Sequence, residues 1–367
     1  MQKKIFFILL IFFLQISCNE KKVTSINGTI PNLPDGTMYL WEEGPSNKID
    51  SSTTHNGNFK ISHEWNENKE PNFIGIYHID KSGIKRLFNF TTKASYNGTS
   101  GWSTNVFYPD TIISLEGKFK EDPPIEGYKL PYNIKDVSGV VIKAGRQTEA
   151  YYNIDGDLFG KINDKTIQTV RDKINKYPYS YHLLYQIIEN KNNFSAEQVA
   201  DFLKSFKGEI TDSKSYKNLL AYNQKRIRTD KVPLSELEDV KGKRSEIFDK
   251  NYDKHLIIFW ASWCLPCRQE IPLLKTMNNK VNSNIEFISI SIDDDKNAWK
   301  NAVNEEQMSW KQFILDKNTP AYENFQIRLK LNSAIPYTVL VDNNLKILAQ
   351  STGLGTKEDL IKLLETK

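Results

Sequence analysis

Phe259-Trp260-Ala261-Ser262-Trp263-Cys264-Leu265-Pro266-Cys267 decides the reading of this chain. The apolar run just before it, Leu256-Ile257-Ile258-Phe259, reads as a buried strand, and the first cysteine opens the helix that follows. Positions i and i+3 share a helix face, so Cys264 and Cys267 can close a disulfide without moving the backbone far. Unpaired N–H groups at the helix start favour the Cys264 thiolate. A dithiol held this way is suited to cycle between reduced and oxidised forms, so thiol–disulfide exchange is the first expectation. Zinc would need two further ligands. No second Cys-x-x-Cys exists, and His55, His63, His78, His182 and His255 are scattered without ligand spacing, so no metal is expected.

Outward from this motif the C-terminal region alternates strand and helix. Residues 255–260 read as a strand, followed by a helix through the cysteines to about Val281. A second strand runs from Ile285, and helical patterns fall near Asn297–Glu306 and Thr319–Leu331. Thr338-Val-Leu-Val-Asp and Lys346-Ile-Leu-Ala-Gln form a hairpin across Asn343-Asn344, and a last helix starts at Thr356 with Asp359 completing its cap. Parallel strands joined by a helix, then a hairpin and a helix, give a mixed sheet with helices on both faces.

Toward the N-terminus the text changes. Residues 164–228 have helical period: Leu183, Leu184, Ile187 and Ile188 share a face, and Ser195 with Gln198 forms a capping box. Residues 118–160 are ambiguous, with Gly139-Val-Val-Ile-Lys as one further strand. From Val23 to Lys120 short aromatic and β-branched stretches alternate with turn signals at Asn27-Gly28, Pro34-Asp35-Gly36, Asn56-Gly57 and Asn97-Gly98, the pattern of a sandwich or small barrel. The expected boundaries are a signal peptide at 1–17, a β-rich module at 18–120, a connector and helical spacer at 121–234, and an α/β domain at 235–367.

The N-terminus carries targeting information. Lys3-Lys4 precedes a ten-residue apolar core, residues 5–14, too short to span a bilayer but right for a signal peptide. Gln15-Ile16-Ser17-Cys18 resembles a bacterial lipoprotein cleavage site, although the usual leucine lies one position early, at Leu14. Lipidation at Cys18 would leave only Cys264 and Cys267 as free thiols, which excludes a disulfide scaffold. The formal charge of +4 falls to +2 without Lys3 and Lys4, and acids and bases interleave with no basic stripe, so nucleic acid is not an expected partner.

Residues 259–272, Phe-Trp-Ala-Ser-Trp-Cys-Leu-Pro-Cys-Arg-Gln-Glu-Ile-Pro, resemble the signature of thioredoxin-like proteins of the TlpA/ResA type, over about residues 235–367. The resemblance implies a thioredoxin fold and exported or membrane-anchored thiol–disulfide oxidoreductase activity without a bound cofactor. It assigns Pro272 to the proline that kinks the active-site helix, and Ser333-Ala-Ile-Pro-Tyr to the family's cis-proline loop. Pro336 would then sit beside the cysteines, with Ile335 before it and Trp263 and Pro266 supporting the motif. Two departures stand out. Ile258 occupies the place of thioredoxin's buried aspartate, so a proton relay must come from elsewhere, with Asp293 and Asp294 as candidates or else as a solvated turn capping the next helix. Leu265 stands where glycine is common, between cysteines whose dipeptide tunes a potential spanning roughly −270 to −120 mV in this fold.

Residues 23–117 resemble a β module of unknown function that often precedes such domains in redox lipoproteins. The implied partners are disulfide-containing exported proteins, apocytochrome c being one candidate, together with an upstream thiol donor and a membrane reached through the lipid. The implied location is the envelope of a Gram-negative bacterium, facing the periplasm. Two rival functions are a thiol peroxidase and an adaptor lipoprotein whose β module binds a partner. The peroxiredoxin Thr-x-x-Cys setting is absent, because Ser262-Trp263 precedes Cys264.

Overall fold

The computed structural model describes residues 22–66, 69–123, 130–228, 231–279 and 284–366, so Cys18 and the leader lie outside the described residues. Two compact units divide the chain, Met1–Gly156 and Asp157–Lys367.

The first unit is built from β1 (Lys22–Thr29), β2 (Gly36–Glu42), β3 (Lys48–Thr54), β4 (Asn58–Trp65), β5 (Ile74–Asp80) and β6 (Lys85–Phe88). Four two-residue strands follow, β7 (Phe90–Thr91), β8 (Ser95–Tyr96), β9 (Thr99–Ser100) and β10 (Ser103–Thr104). The unit closes with β11 (Ile112–Glu116), β12 (Lys120–Glu121), β13 (Ile134–Ser138), β14 (Val141–Lys143) and helix α1 (Arg146–Tyr152). Two open sheets form, in the orders β14-β11-β1-β4 and β12-β13-β6-β5-β2-β3. Strand β4 alternates buried Phe59 and Ile61 with exposed Asn58, Lys60 and Ser62, as a strand with one solvated face should.

Turn chemistry is obeyed at Asn56-Gly57 and Asn97-Gly98, where both residues have positive φ, the requirement of the tight hairpin turn. Asn27-Gly28 is different. It lies inside β1, where Gly28 pairs with Phe59 and a Cβ would overlap the Phe59 ring, so the glycine serves close approach rather than a turn. Helix α1 has glycine at its N-cap, and Asp110 supplies the missing cap by accepting from the N–H groups of Gln147 (3.1 Å) and Thr148 (3.0 Å).

The second unit starts with α2 (Asp164–Lys176), α3 (Tyr181–Asn190), a 3-10 turn at Lys191–Asn193, α4 (Ala196–Ser205) and α5 (Lys214–Arg228). The Ser195–Gln198 capping box is formed, worth about 1 kcal/mol for such a cap. Next come β15 (Leu237–Asp239), β16 (Arg244–Ser245), β17 (Lys254–Trp260), α6 (Leu265–Asn278), β18 (Ile285–Ser291) and α7 (Lys296–Glu306). The unit ends with β19 (Lys311–Ile314), α8 (Pro320–Leu329), β20 (Tyr337–Asp342), β21 (Ile347–Thr352) and α9 (Lys357–Leu364), the last opened by the Thr356–Asp359 capping box.

Seven strands make one mixed sheet in the order β16-β15-β19-β18-β17-β20-β21. Strands β17, β18 and β19 are parallel, joined through α6 and α7, and β20 and β21 add antiparallel. Every residue of β17 after Lys254 is buried, which explains its continuous apolar run. Burial of each of Leu256, Ile257 and Phe259 contributes about 1.5–3 kcal/mol.

Candidate active site

Strand β17 ends at Trp260 and the chain turns through Ala261–Trp263 into α6. Cys264 is the N-cap of that helix, and its Sγ accepts from the Cys267 backbone N–H at 3.2 Å. Sulfur thus takes the place a capping oxygen usually fills, within the positive end of the helix dipole. Pro266 lies in the first turn, where its missing N–H costs no helical bond. Cys264 and Cys267 are joined as a disulfide with Cα atoms 5.3 Å apart. Both cysteines are buried, at 5% and 3% exposure, yet Trp263 and Leu265 are 63% and 65% exposed. Buried Cys264 is thus flanked in sequence by two exposed apolar side chains, an apolar collar.

A buried carboxylate shapes the loop before Cys264. Asp293 accepts from the Ser262 N–H (2.9 Å), the Ser262 hydroxyl (2.6 Å) and the Ser291 hydroxyl (2.7 Å). Three consecutive aspartates have three separate tasks. Asp293 holds the loop, exposed Asp294 pairs with Lys317 at 2.9 Å, and Asp295 caps α7 through the N–H groups of Asn297 and Ala298. Helix capping was expected of this turn, and Asp295 performs it.

The Ile335–Pro336 peptide is cis. Tyr337 pairs with Phe259, so the loop ending at Pro336 and the loop leading to Cys264 leave the same end of two adjacent antiparallel strands. Half-buried Ile335 packs on the core cluster that contains both cysteines. The Pro336 carbonyl accepts from the Gly353 N–H at 2.9 Å, and the next N–H, of Leu354, donates to Glu270 Oε1 at 2.6 Å. Gly353 has φ of +76°, a conformation that favours glycine. Through these two bonds α6 and the cis-proline loop are fastened to one β21–α9 connection.

Glu270 is a site residue that the sequence reading passed over. It lies one turn beyond Cys267 on the same helix face. Burial pushes its carboxyl above the ordinary value, opposed in part by the Leu354 N–H, and Oε2 is buried without a hydrogen-bond partner among the described residues. The available signal was an acid at i+3 from Cys267 in a helix whose apolar face is buried. Arg268, the residue after Cys267, is engaged elsewhere, donating to Glu306 (2.8 Å) and Glu305 (2.9 Å) at the end of α7.

Fold and site together define a class: a thioredoxin-like thiol–disulfide oxidoreductase domain. Residues 252–347 match the family model described as thioredoxin-like. Over 146 residues the chain is 26% identical to the thiol-disulfide oxidoreductase ResA of Bacillus cereus (strain ZK / E33L), covering 40% of this chain and 81% of that protein. Identity to ResA of Bacillus subtilis (strain 168) is 25% over 122 residues, 33% of this chain and 65% of that protein. Among solved structures, the thioredoxin domain of a thiol-disulfide oxidoreductase from Bacteroides vulgatus is 29% identical, covering 36% of this chain and 91% of that one, with a TM-score of 0.32.

Proposed function

We propose that this chain is a lipid-anchored envelope protein that reduces disulfides of exported proteins through Cys264 and Cys267. The observation that carries the reading is the buried disulfide at the N-terminus of α6, with exposed Trp263 and Leu265 on either side of Cys264 in sequence. A helix N-terminus lowers a thiol's pKa and makes Cys264 the attacking group. In the reduced protein its thiolate attacks a substrate disulfide, forming a mixed disulfide and releasing one substrate thiolate. The Cys267 thiol then loses its proton to Glu270, and the resulting thiolate attacks Cys264 Sγ. The second substrate thiolate leaves. Two electrons pass to the substrate, two thiol protons follow to its sulfurs, and the pair is left oxidised as seen here. An upstream dithiol donor reduces it again.

In this scheme Glu270 takes the proton, while Asp293 fixes the Ser262–Trp263 approach to the nucleophile and Asp294 faces solvent. The apolar collar suits polypeptide disulfides flanked by apolar residues, and apocytochrome c is one candidate substrate. Support for export and anchoring comes from the leader at residues 1–17 and from Ser17-Cys18. No helix among the described residues is long and apolar enough to cross a membrane.

Equilibration of the Cys264–Cys267 pair with glutathione or dithiothreitol buffers tests the direction. A potential of roughly −270 mV or lower is the expected result, and one near −120 mV would make the protein an oxidant. Cys18→Ser should move the protein from membranes to the soluble fraction; unchanged association would reject the anchor.

A further inference from the structure

The 3-10 turn between α3 and α4 reaches the cis-proline loop. Asn192, in that turn, is buried and uses its whole side chain. Its Nδ2 donates to the Leu331 carbonyl (2.8 Å), and its Oδ1 accepts from the Tyr222 hydroxyl of α5 (2.8 Å). The Asn192 backbone N–H donates to Asn332 Oδ1 (3.1 Å), and Asn332 Nδ2 returns a bond to Asn193 Oδ1 (2.8 Å). Three contacts therefore converge on Leu331-Asn332, four residues before Pro336.

The turn that makes these contacts is itself braced. Arg226 on α5 donates to the carbonyls of Lys191 (2.8 Å) and Phe194 (2.7 Å), closing both ends of the turn. Beside it, Lys225 pairs with Glu323 (2.6 Å) and Asn324 (2.8 Å) of α8, the helix that leads into the same loop. A spacer would not need a buried amide aimed at one loop 139 residues away. A loop that must present Pro336 to a polypeptide needs a fixed anchor on its far side. Tyr337 supplies the near one, through strand pairing with Phe259 and a 2.8 Å bond from its hydroxyl to the Leu329 carbonyl.

We infer that Asn192, with Asn332, is a positioning residue of the active site, and that α2–α5 hold the cis-proline loop in the conformation that receives a polypeptide disulfide. This rests on the proposed exchange reaction. The test compares wild type with Asn192→Ala and with the milder Asn332→Ala, which removes a half-buried side chain. Hydrogen exchange of the backbone amides of Ser333, Ala334, Ile335 and Tyr337 reports the clamp directly. Kinetics with insulin as the disulfide substrate report its use, and thermal unfolding is followed in parallel.

The expected result is faster exchange in that loop and a KM for insulin raised roughly tenfold, the size of one lost buried hydrogen bond, with kcat nearly constant. Unchanged loop exchange in both variants would overturn the clamp. A loosened loop with unchanged KM, or a fall in kcat that only follows the folded fraction, would overturn its role in positioning. If the wild type reduces no disulfide at all, the exchange reading falls and takes this inference with it, while the amide data still decide whether the clamp exists.

Discussion

Strand β17 carries a polar site at each end, and the two are built on opposite terms. At its start His255 is buried between acceptors, with Nδ1 2.8 Å from Glu286 Oε2 and Nε2 3.1 Å from Asn343 Oδ1. Glu286 also accepts from the Asp249 N–H at 2.9 Å and pairs through Oε1 with Lys311 at 2.6 Å. At the other end lie a disulfide, two exposed apolar side chains and a carboxyl group, Glu270, with one oxygen unpartnered among the described residues. Polar groups tied to several partners contribute rigidity, whereas a group left short of partners is available for chemistry. The same sheet positions both sites, so substitutions should separate their effects on stability and reaction.

The largest effect is expected at the sulfur itself. Cys264→Ser should lower exchange by several orders of magnitude, because Cys267, the thiol that remains among the described residues, lacks the helix N-cap position that favours a thiolate. Cys267→Ser should instead accumulate the mixed disulfide, visible by mass spectrometry. Equal activity loss with no trapped species in either variant would reverse or remove the assigned roles.

At the opposite end the expected loss is of stability. His255→Ala removes a buried hydrogen-bond partner of Glu286 and should cost about 1–3 kcal/mol in urea unfolding, with exchange per folded molecule unchanged. The pH dependence has a definite sign. Burial alone would raise the Glu286 pKa, but bonds from His255, Asp249 and Lys311 outweigh it and hold the value below that of a free carboxyl. Its stabilising contribution is therefore complete above the unfolded value of about 4.3 and is lost as pH falls through the lower folded one. Glu286→Gln should flatten that acid limb. If wild type and variant lose stability in parallel, the network is not what the acid limb reports.

Glu270 sharpens the contrast. Burial raises its folded pKa, so its contribution is present below the unfolded value and lost as pH rises through the folded one. Glu270→Gln should then raise the melting temperature slightly at neutral pH. It should also slow the resolving step by about a hundredfold, within the range for loss of a general base, and remove an ionisation from the pH–rate profile. A variant that is slower but keeps the profile would limit Glu270 to fastening Leu354.

The thioredoxin-like half was legible because local signals agreed. The Leu256–Phe259 run, the Cys264 helix start, Ile335-Pro336 before an apolar strand and the cap at Thr356 each act over a few residues. What escaped depends on distant partners. β15 and β19 are short, and the first pairs with the second across the sheet rather than showing a period of its own. Gly28 has the form of a turn residue, and only the Phe59 ring on the neighbouring strand explains it. The three tasks of Asp293, Asp294 and Asp295 are set by Ser262, Lys317 and the start of α7, which no local pattern distinguishes. Asn192 and Glu270 escaped for the same reason: Leu331 lies 139 residues from the first and Leu354 84 from the second.

The smallest effect should come from the collar. Leu265 sits between the cysteines and is largely exposed, so its side chain does little for the core. Leu265→Ala should leave unfolding within about 0.5 kcal/mol of wild type, as surface substitutions do. An exposed leucine beside a reactive sulfur does have a use when an apolar polypeptide segment covers it. Covering that surface at about 25 cal/mol per Å² would make up a few-fold of affinity for a side chain of this size. KM for a protein disulfide flanked by apolar residues should therefore rise a few-fold, and more than for one flanked by charged residues. An equal change for both substrates would mean that Leu265 acts on the disulfide itself, through the helix start it occupies, and not through the surface it presents.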